Sequence, residues 1–200
     1  MNATAAAPDS ATPTEHELIT QRVFEAADRL FYERGIAGVG MDEVRDLAGV
    51  SLRRLYNMYP SKRDLVAAWL EQRHTRWMAW FIGSVEKRTT SGDDPVVAVF
   101  DAIEEWATSP NYRGCAFLNS IAETMEIDDS HRAIATTHKR ELGTQLAAIA
   151  ARCVDTPPPW LPGALGVLVD GAIVQSVVFQ STAPFGDARR AARQLVESLR

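Results

Sequence analysis

Cysteine is scarce: Cys115 and Cys153 are the only two in the 200-residue chain. Two thiols cannot build a disulfide framework, which removes the class of small secreted scaffolds. Basic charge is not in excess either, with 21 Lys and Arg against 26 Asp and Glu and a formal net charge of −5. A protein that coats nucleic acid along its whole surface is excluded on that count. Long apolar runs are missing as well. The nearest, Leu161 to Phe179, contains Asp170, Gln175, Ser176 and three glycines, and is not read as a membrane span. Residues 1–15 hold no Lys or Arg and no apolar core, so they are neither a secretory signal nor an anchor. They are expected to form a disordered arm, and the protein is expected in the cytoplasm without a membrane partner. Alternating strand patterns and internal repeats are absent too, which leaves an all-α chain.

Against that acidic background one stretch stands out. Between Leu47 and Arg63 there are four basic residues and no acidic one. The segment Gly49-Val50-Ser51-Leu52-Arg53-Arg54-Leu55-Tyr56-Asn57-Met58-Tyr59-Pro60-Ser61-Lys62-Arg63 reads as a turn, a very short helix, a break at Pro60 and the start of another helix. Ser51 is placed to cap the short helix, so Arg53 and Arg54 fall in its first turn. Basic side chains there oppose the helix macrodipole, and local stability does not explain them. An external polyanion does, and a nucleic-acid backbone is the obvious one. Amides at Ser61 together with the Lys62 ammonium would clamp a phosphate. The residues expected on DNA are Arg45, Ser51, Arg53, Arg54, Tyr56, Asn57, Tyr59 and Lys62.

Around this segment the helical period recurs. Thr14 and Glu17 have capping-box spacing, and Ile19, Val23, Phe24, Ala27, Leu30 and Phe31 follow at helical intervals up to Gly35. A second helix carries Val44, Leu47 and Ala48; Val44, Leu47, Val50 and Leu55 are assigned to a small shared core. Ser61 and Asp64 cap a fourth helix from about Lys62 to Arg88. The loop Thr89 to Asp94 ends it. Further helices are expected at about 95–108, 113–126, 131–154, 161–180 and 187–199, with Asp129 or Ser130, then Asp187, as natural caps. The division that results is an arm (1–15), a helix-turn-helix domain (16–60), a connecting helix (61–88) and a larger helical domain (89–200).

Residues from about Ile19 to Trp69 resemble the N-terminal DNA-binding domain of the tetracycline-repressor (TetR) family of bacterial transcriptional regulators. The resemblance rests on Ala27-x-x-Leu30-Phe31-x-x-x-Gly35, on Val44-x-x-x-Ala48-Gly49-Val50-Ser51, and on Leu55-Tyr56-x-x-Tyr59-x-Ser61-Lys62-x-x-Leu65. Arg53 and Arg54 stand where the family often has Gly followed by Thr or Ser, and Met58 where it often has His. The resemblance implies DNA contacts at Tyr56, Tyr59 and Lys62, double-stranded operator DNA as partner, repression relieved by a small-molecule effector, and a homodimer joined through the last two helices. No cofactor is implied.

Aromatic side chains crowd the middle helices: Trp77, Trp80, Phe81, Phe100, Trp106, Phe117 and Phe179. Core packing accounts for any one of them. Their density also suits an apolar ligand cavity, which the resemblance implies. Asn119, Glu123, His138 and Asp170 could orient a ligand there, or could equally be surface or satisfied core groups. For the dimer, the apolar face around Leu168, Ala172 and Val177, with Ala191 and Leu195 on the last helix, is expected at the interface. A metal site is not expected, because His131 and His138 are seven residues apart and a helix separates them by about 10 Å. No catalytic constellation is recognisable, and Cys115 reads as a small buried hydrophobe. The alternative reading is a small helical enzyme or carrier with an architectural helix-turn-helix.

Overall fold

The computed structural model describes residues 14–123 and 129–200. Among them are nine helices and no strand. The expected arm lies outside the described residues up to position 13; Thr14 and Glu15 belong instead to the start of α1 (Glu15–Arg34). Thr14 caps it by accepting from the Glu17 amide at 3.2 Å, while the Glu17 carboxylate accepts from the Thr14 amide at 2.7 Å. Gly35, at φ 84°, ends the helix. That dihedral requires glycine, and an added Cβ would also lie 2.9 Å from the Glu123 carboxylate and displace it.

Helix α2 (Met41–Ala48) ends at Gly49, which takes the left-handed conformation that turns the chain into α3 (Leu52–Met58). The Ser51 hydroxyl caps α3 by accepting from the Arg54 amide at 3.2 Å, and Tyr59 is extended before Pro60. Ser61 caps α4 (Lys62–Thr90), a helix of 29 residues and so about 43 Å long. It runs through Thr89 and Thr90, two residues past the expected end. Val23, Ala27, Phe31, Val44, Ala48, Leu55, Leu65 and Trp69 are buried where α1 to α4 meet. Leu47 is not among them; it is exposed, because the face of α2 that meets α1 is set by Val44 and Ala48.

The other five helices are α5 (Pro95–Ala107), α6 (Ala116–Glu123), α7 (Asp129–Cys153), α8 (Leu161–Phe179) and α9 (Ala183–Glu197). Helix α5 is the central one, packing against α4, α7, α8 and α9. It is capped by Asp94 and buries Val96, Val99, Phe100 and Ile103. Helix α6 is shorter than expected at its start, since Gly114 at φ 79° keeps 113–115 out of the helix; the expected stretch beyond Glu123 lies outside the described residues. Helix α9 starts earlier than the Asp187 cap suggests. Pro184 lies in its first turn, where a missing N–H costs nothing, and is buried with Phe185. Helix α8 corrects one exclusion: with a mean hydropathy of 1.7 it is long and apolar enough, by length and composition, to cross a membrane. In the fold it packs between α7 and α9, and Asp170 forms an ion pair with Lys139 of α7.

Candidate DNA-binding face and adjoining cavity

Burial of Leu55 orients α3. That side chain is wholly enclosed, so Arg53, Tyr56 and Asn57 are left on the outside. Arg54 is turned aside: its guanidinium pairs at 3.0 Å with Glu15 of α1. Arg45 pairs with its neighbour Asp46 at 2.6 Å. Tyr59 is half-buried with its ring 6.0 Å from that of Phe24, and desolvation raises its phenol above the usual range. The Lys62 ammonium lies 3.5 Å from the Ala37 carbonyl, in the connector between α1 and α2. Burial pulls its pKa down, while the Glu123 and Glu43 carboxylates act the other way.

Three contacts that the sequence does not signal tie this head to the rest of the molecule. The Tyr32 hydroxyl donates to the Gly114 carbonyl at 2.9 Å and accepts from the Arg113 amide at 2.9 Å. Asp28 accepts from the Trp69 indole at 2.8 Å and pairs with Arg73 at 2.6 Å and Arg76 at 3.4 Å. The Arg73 guanidinium also lies over the Tyr32 ring, 3.7 Å from its centroid. Finally, Glu123 accepts from the Ala37 amide at 3.1 Å. Its carboxylate therefore grips the α1–α2 connector from α6.

Next to these contacts lie two neighbouring spaces. An inner cavity of about 20 Å³ is bordered by Arg73, Trp77, Trp106, Phe117 and His138. It has room for roughly one water molecule. An outer cleft of about 390 Å³ is bordered by Asp28, Arg76, Trp77, Trp80, Glu105 and Trp106. Trp77 and Trp106, packed edge to face at 5.8 Å, stand on both. The Trp77 indole N–H is buried and has no hydrogen-bond partner among the described residues. His138 stacks on Phe117 with centroids 3.9 Å apart, and its Nδ1 is 3.1 Å from Nδ1 of His74. Burial, with Lys139 and His74 adding to it, pushes the His138 pKa down to about 3. The His74 Nε2 lies 3.1 Å from Glu141.

The family model described as "Bacterial regulatory proteins, tetR family" matches residues 23–69, from α1 into α4. An uncharacterized HTH-type transcriptional regulator of Mycobacterium tuberculosis is 30% identical over 134 residues, which is 66% of this chain and 55% of that protein. The HTH-type transcriptional activator FasR of Mycolicibacterium smegmatis is 38% identical over 92 residues, 44% of this chain and 41% of that protein. The chain thus spans about half the length of these curated relatives. The crystal structure of a TetR-family transcriptional regulator from Streptomyces coelicolor superposes with a TM-score of 0.80 at 26% identity, over 91% of this chain and 96% of that one. The head, residues 23–69, belongs to the TetR family, and the described fold matches that of a TetR-family regulator.

Within this TetR-family fold the expected ligand residues do not form one set. Trp77, Trp80, Trp106, Phe117 and His138 border the two spaces above. Phe81 is buried and stacked on Trp77, and Phe100 is buried in the core on α5; neither borders a cavity described above. Phe179 is a correction: it is 66% exposed at the end of α8, because the helix turns that edge away from α7 and α9. Asn119 donates to the Arg113 carbonyl and, with Glu123, lies on a separate cleft beneath the α1–α2 connector. Asp170 is held by Lys139.

The expected dimer residues need a similar correction. Ala172 is 4% exposed and packs into its own core. Leu168 and Leu195 are half-buried against the same core, and only Val177 and Ala191 face outward. The outward stripe of α8 is Val167, Gly171, Val174 and Val178, with Trp160 and Gly163 at its start. Val167 is 74% exposed, and added Cβ atoms at Gly163 and Gly171 would meet nothing within 4 Å. Spacing of three and four residues makes this one ridge. Because α8 is apolar all round, periodicity alone does not say which side turns inward.

Proposed function

We propose that this chain is a DNA-binding transcriptional regulator that works as a homodimer, most simply a repressor released from its operator by a small, largely apolar ligand. The observation that carries the reading is α3, which presents Arg53, Tyr56 and Asn57 outward from a protein of net charge −5. A second copy would cover the Val167, Val174 and Val178 ridge, with the glycines allowing two α8 helices to approach closely. An apolar ridge of this kind is uncommon on a monomer. Two heads related by a two-fold axis would then read a palindrome. The ligand is assigned to the outer cleft, with the Trp77 and Trp106 wall opening toward the inner cavity. Its effect on DNA depends on a difference in affinity between two arrangements of the heads.

Selection of bound DNA from a random pool tests the reading. Recovery of a palindromic site is expected, with an affinity that falls roughly 10³- to 10⁵-fold between 50 and 200 mM salt if 6–10 phosphates are contacted. A reporter carrying the recovered site gives the sign of control. Weak binding without sequence preference would overturn the proposal in favour of an enzyme or carrier.

A further inference from the structure

We infer that Arg53 and Asn57 are the base-reading pair of α3, Arg53 taking guanine and Asn57 adenine, while Arg54 reads no base. The inference rests on the reading of α3 as a DNA-binding helix. Its basis is the wholly buried Leu55, which fixes the rotation of the helix about its axis. At 3.6 residues per turn, Arg53 and Asn57 both lie about 160° from Leu55, one on either side, and so share the outermost face. They are four residues apart, about 6 Å along the axis. Arg54 and Tyr56 flank that face at about 100° from Leu55.

The charge pairing agrees with the rotation. Of the three arginines on α2 and α3, Arg45 is held by Asp46 and Arg54 by Glu15. Arg53 is exposed and makes no ion pair among the described residues. Arg54 is thereby drawn toward the N-terminus of α1, away from the face that enters a groove. An exposed pair of this kind is weak, so it directs the side chain rather than locking it. Arg54 remains free to neutralise a phosphate, which adds affinity without sequence preference.

On a base edge, the planar guanidinium of arginine matches the O6 and N7 acceptors of guanine, and an asparagine amide matches N6 and N7 of adenine. With base pairs about 3.4 Å apart, side chains about 6 Å apart address positions within roughly two steps of each other. Each half-site should therefore contain a guanine and an adenine at that separation.

The test repeats the selection with Arg53→Gln, Arg54→Gln and Asn57→Ala. Glutamine pairs with adenine, so Arg53→Gln should convert one guanine per half-site to adenine and leave the other positions alone. That gain cannot arise from misfolding. Arg54→Gln should keep every base preference while weakening all sequences alike, and Asn57→Ala should flatten the adenine. A second readout is the affinity for the wild-type site and its single G-to-A substitution. The substitution should cost the wild type roughly 5- to 150-fold and Arg53→Ala nothing. The assignment is overturned if Arg54→Gln moves the guanine, if Arg53→Gln leaves it in place, or if Arg53→Ala still discriminates the two sites. A wild-type protein that selects no sequence at all would instead remove the DNA-binding reading beneath it.

Discussion

Asp28 offers a direct probe of how the head is joined to α4. Its carboxylate accepts from the Trp69 indole and pairs with Arg73 and Arg76, although it sits 41 and 45 residues from the first two partners in sequence. Trp69 is buried and the Arg73 side chain is 13% exposed, so in Asp28→Ala the indole is cut off from water and the guanidinium stays largely enclosed. An orphaned buried donor costs about 1–3 kcal/mol, and breaking a buried ion pair about 3–5 kcal/mol. The two costs overlap, and the Tyr32 ring still faces the guanidinium, so a loss of about 3 kcal/mol is expected. At about 2–4 °C per kcal/mol for a chain of this size, the melting temperature should fall by about 6–12 °C. Asp28→Asn, which keeps one acceptor, should lose less. As a control, Arg190 is largely exposed in its pair with Asp187, and Arg190→Ala should change stability by less than about 0.5 kcal/mol. Urea unfolding measures all three. An Asp28→Ala protein as stable as Arg190→Ala would refute the account of this junction.

Other substitutions test separate parts of the molecule. Val174→Glu should give monomers by sedimentation and lose operator binding while staying folded, whereas Ala172→Glu should unfold, because it places a carboxylate in the subunit's own core; folded monomers from Ala172→Glu would reverse the assignment of faces. His138, with its pKa near 3 in the fold, refuses a proton that the unfolded chain accepts below about pH 6.5, so its contribution is complete above pH 6.5 and shrinks as the pH falls toward 3. Between pH 7.5 and 5 this amounts to about 2 kcal/mol, and His138→Gln should show a correspondingly flatter urea midpoint against pH. Lys62→Ala should weaken binding to all DNA alike and reduce the salt slope by about 1, and an unchanged slope in a filter-binding titration would remove it from the phosphate contacts.

Most helices were legible because their ends are chemical. Thr14, Ser51, Ser61 and Asp94 each cap a helix with a side-chain oxygen, and Gly35 and Gly49 end helices through positive φ. The start of α9 was less legible than its Asp187 cap suggested, because Pro184, ahead of that cap, occupies the first helical turn. The recognition segment was legible for a different reason, since its charges oppose the local helix and call for an outside partner. The cavity and the dimer ridge were much less so. The pairing of His74 with His138, or of Arg54 with Glu15, joins residues 64 and 39 positions apart and leaves no local trace. On α8 the difficulty is uniformity, because Ala172 and Val174 carry the same hydropathic message while facing opposite ways.

The hydroxyl of Tyr32 has a consequence for how displacement is shared. One oxygen both donates to Gly114 and accepts from Arg113, so the loop ahead of α6 has no travel of its own relative to α1. Cys115 and Ala116, the next two residues, are part of the inner cavity wall. Any body that pushes this wall outward must therefore carry α1 along or break both bonds together. Wall position and head position become one coordinate, so an occupant that favours the displaced wall favours the second arrangement of the heads by the same difference in affinity.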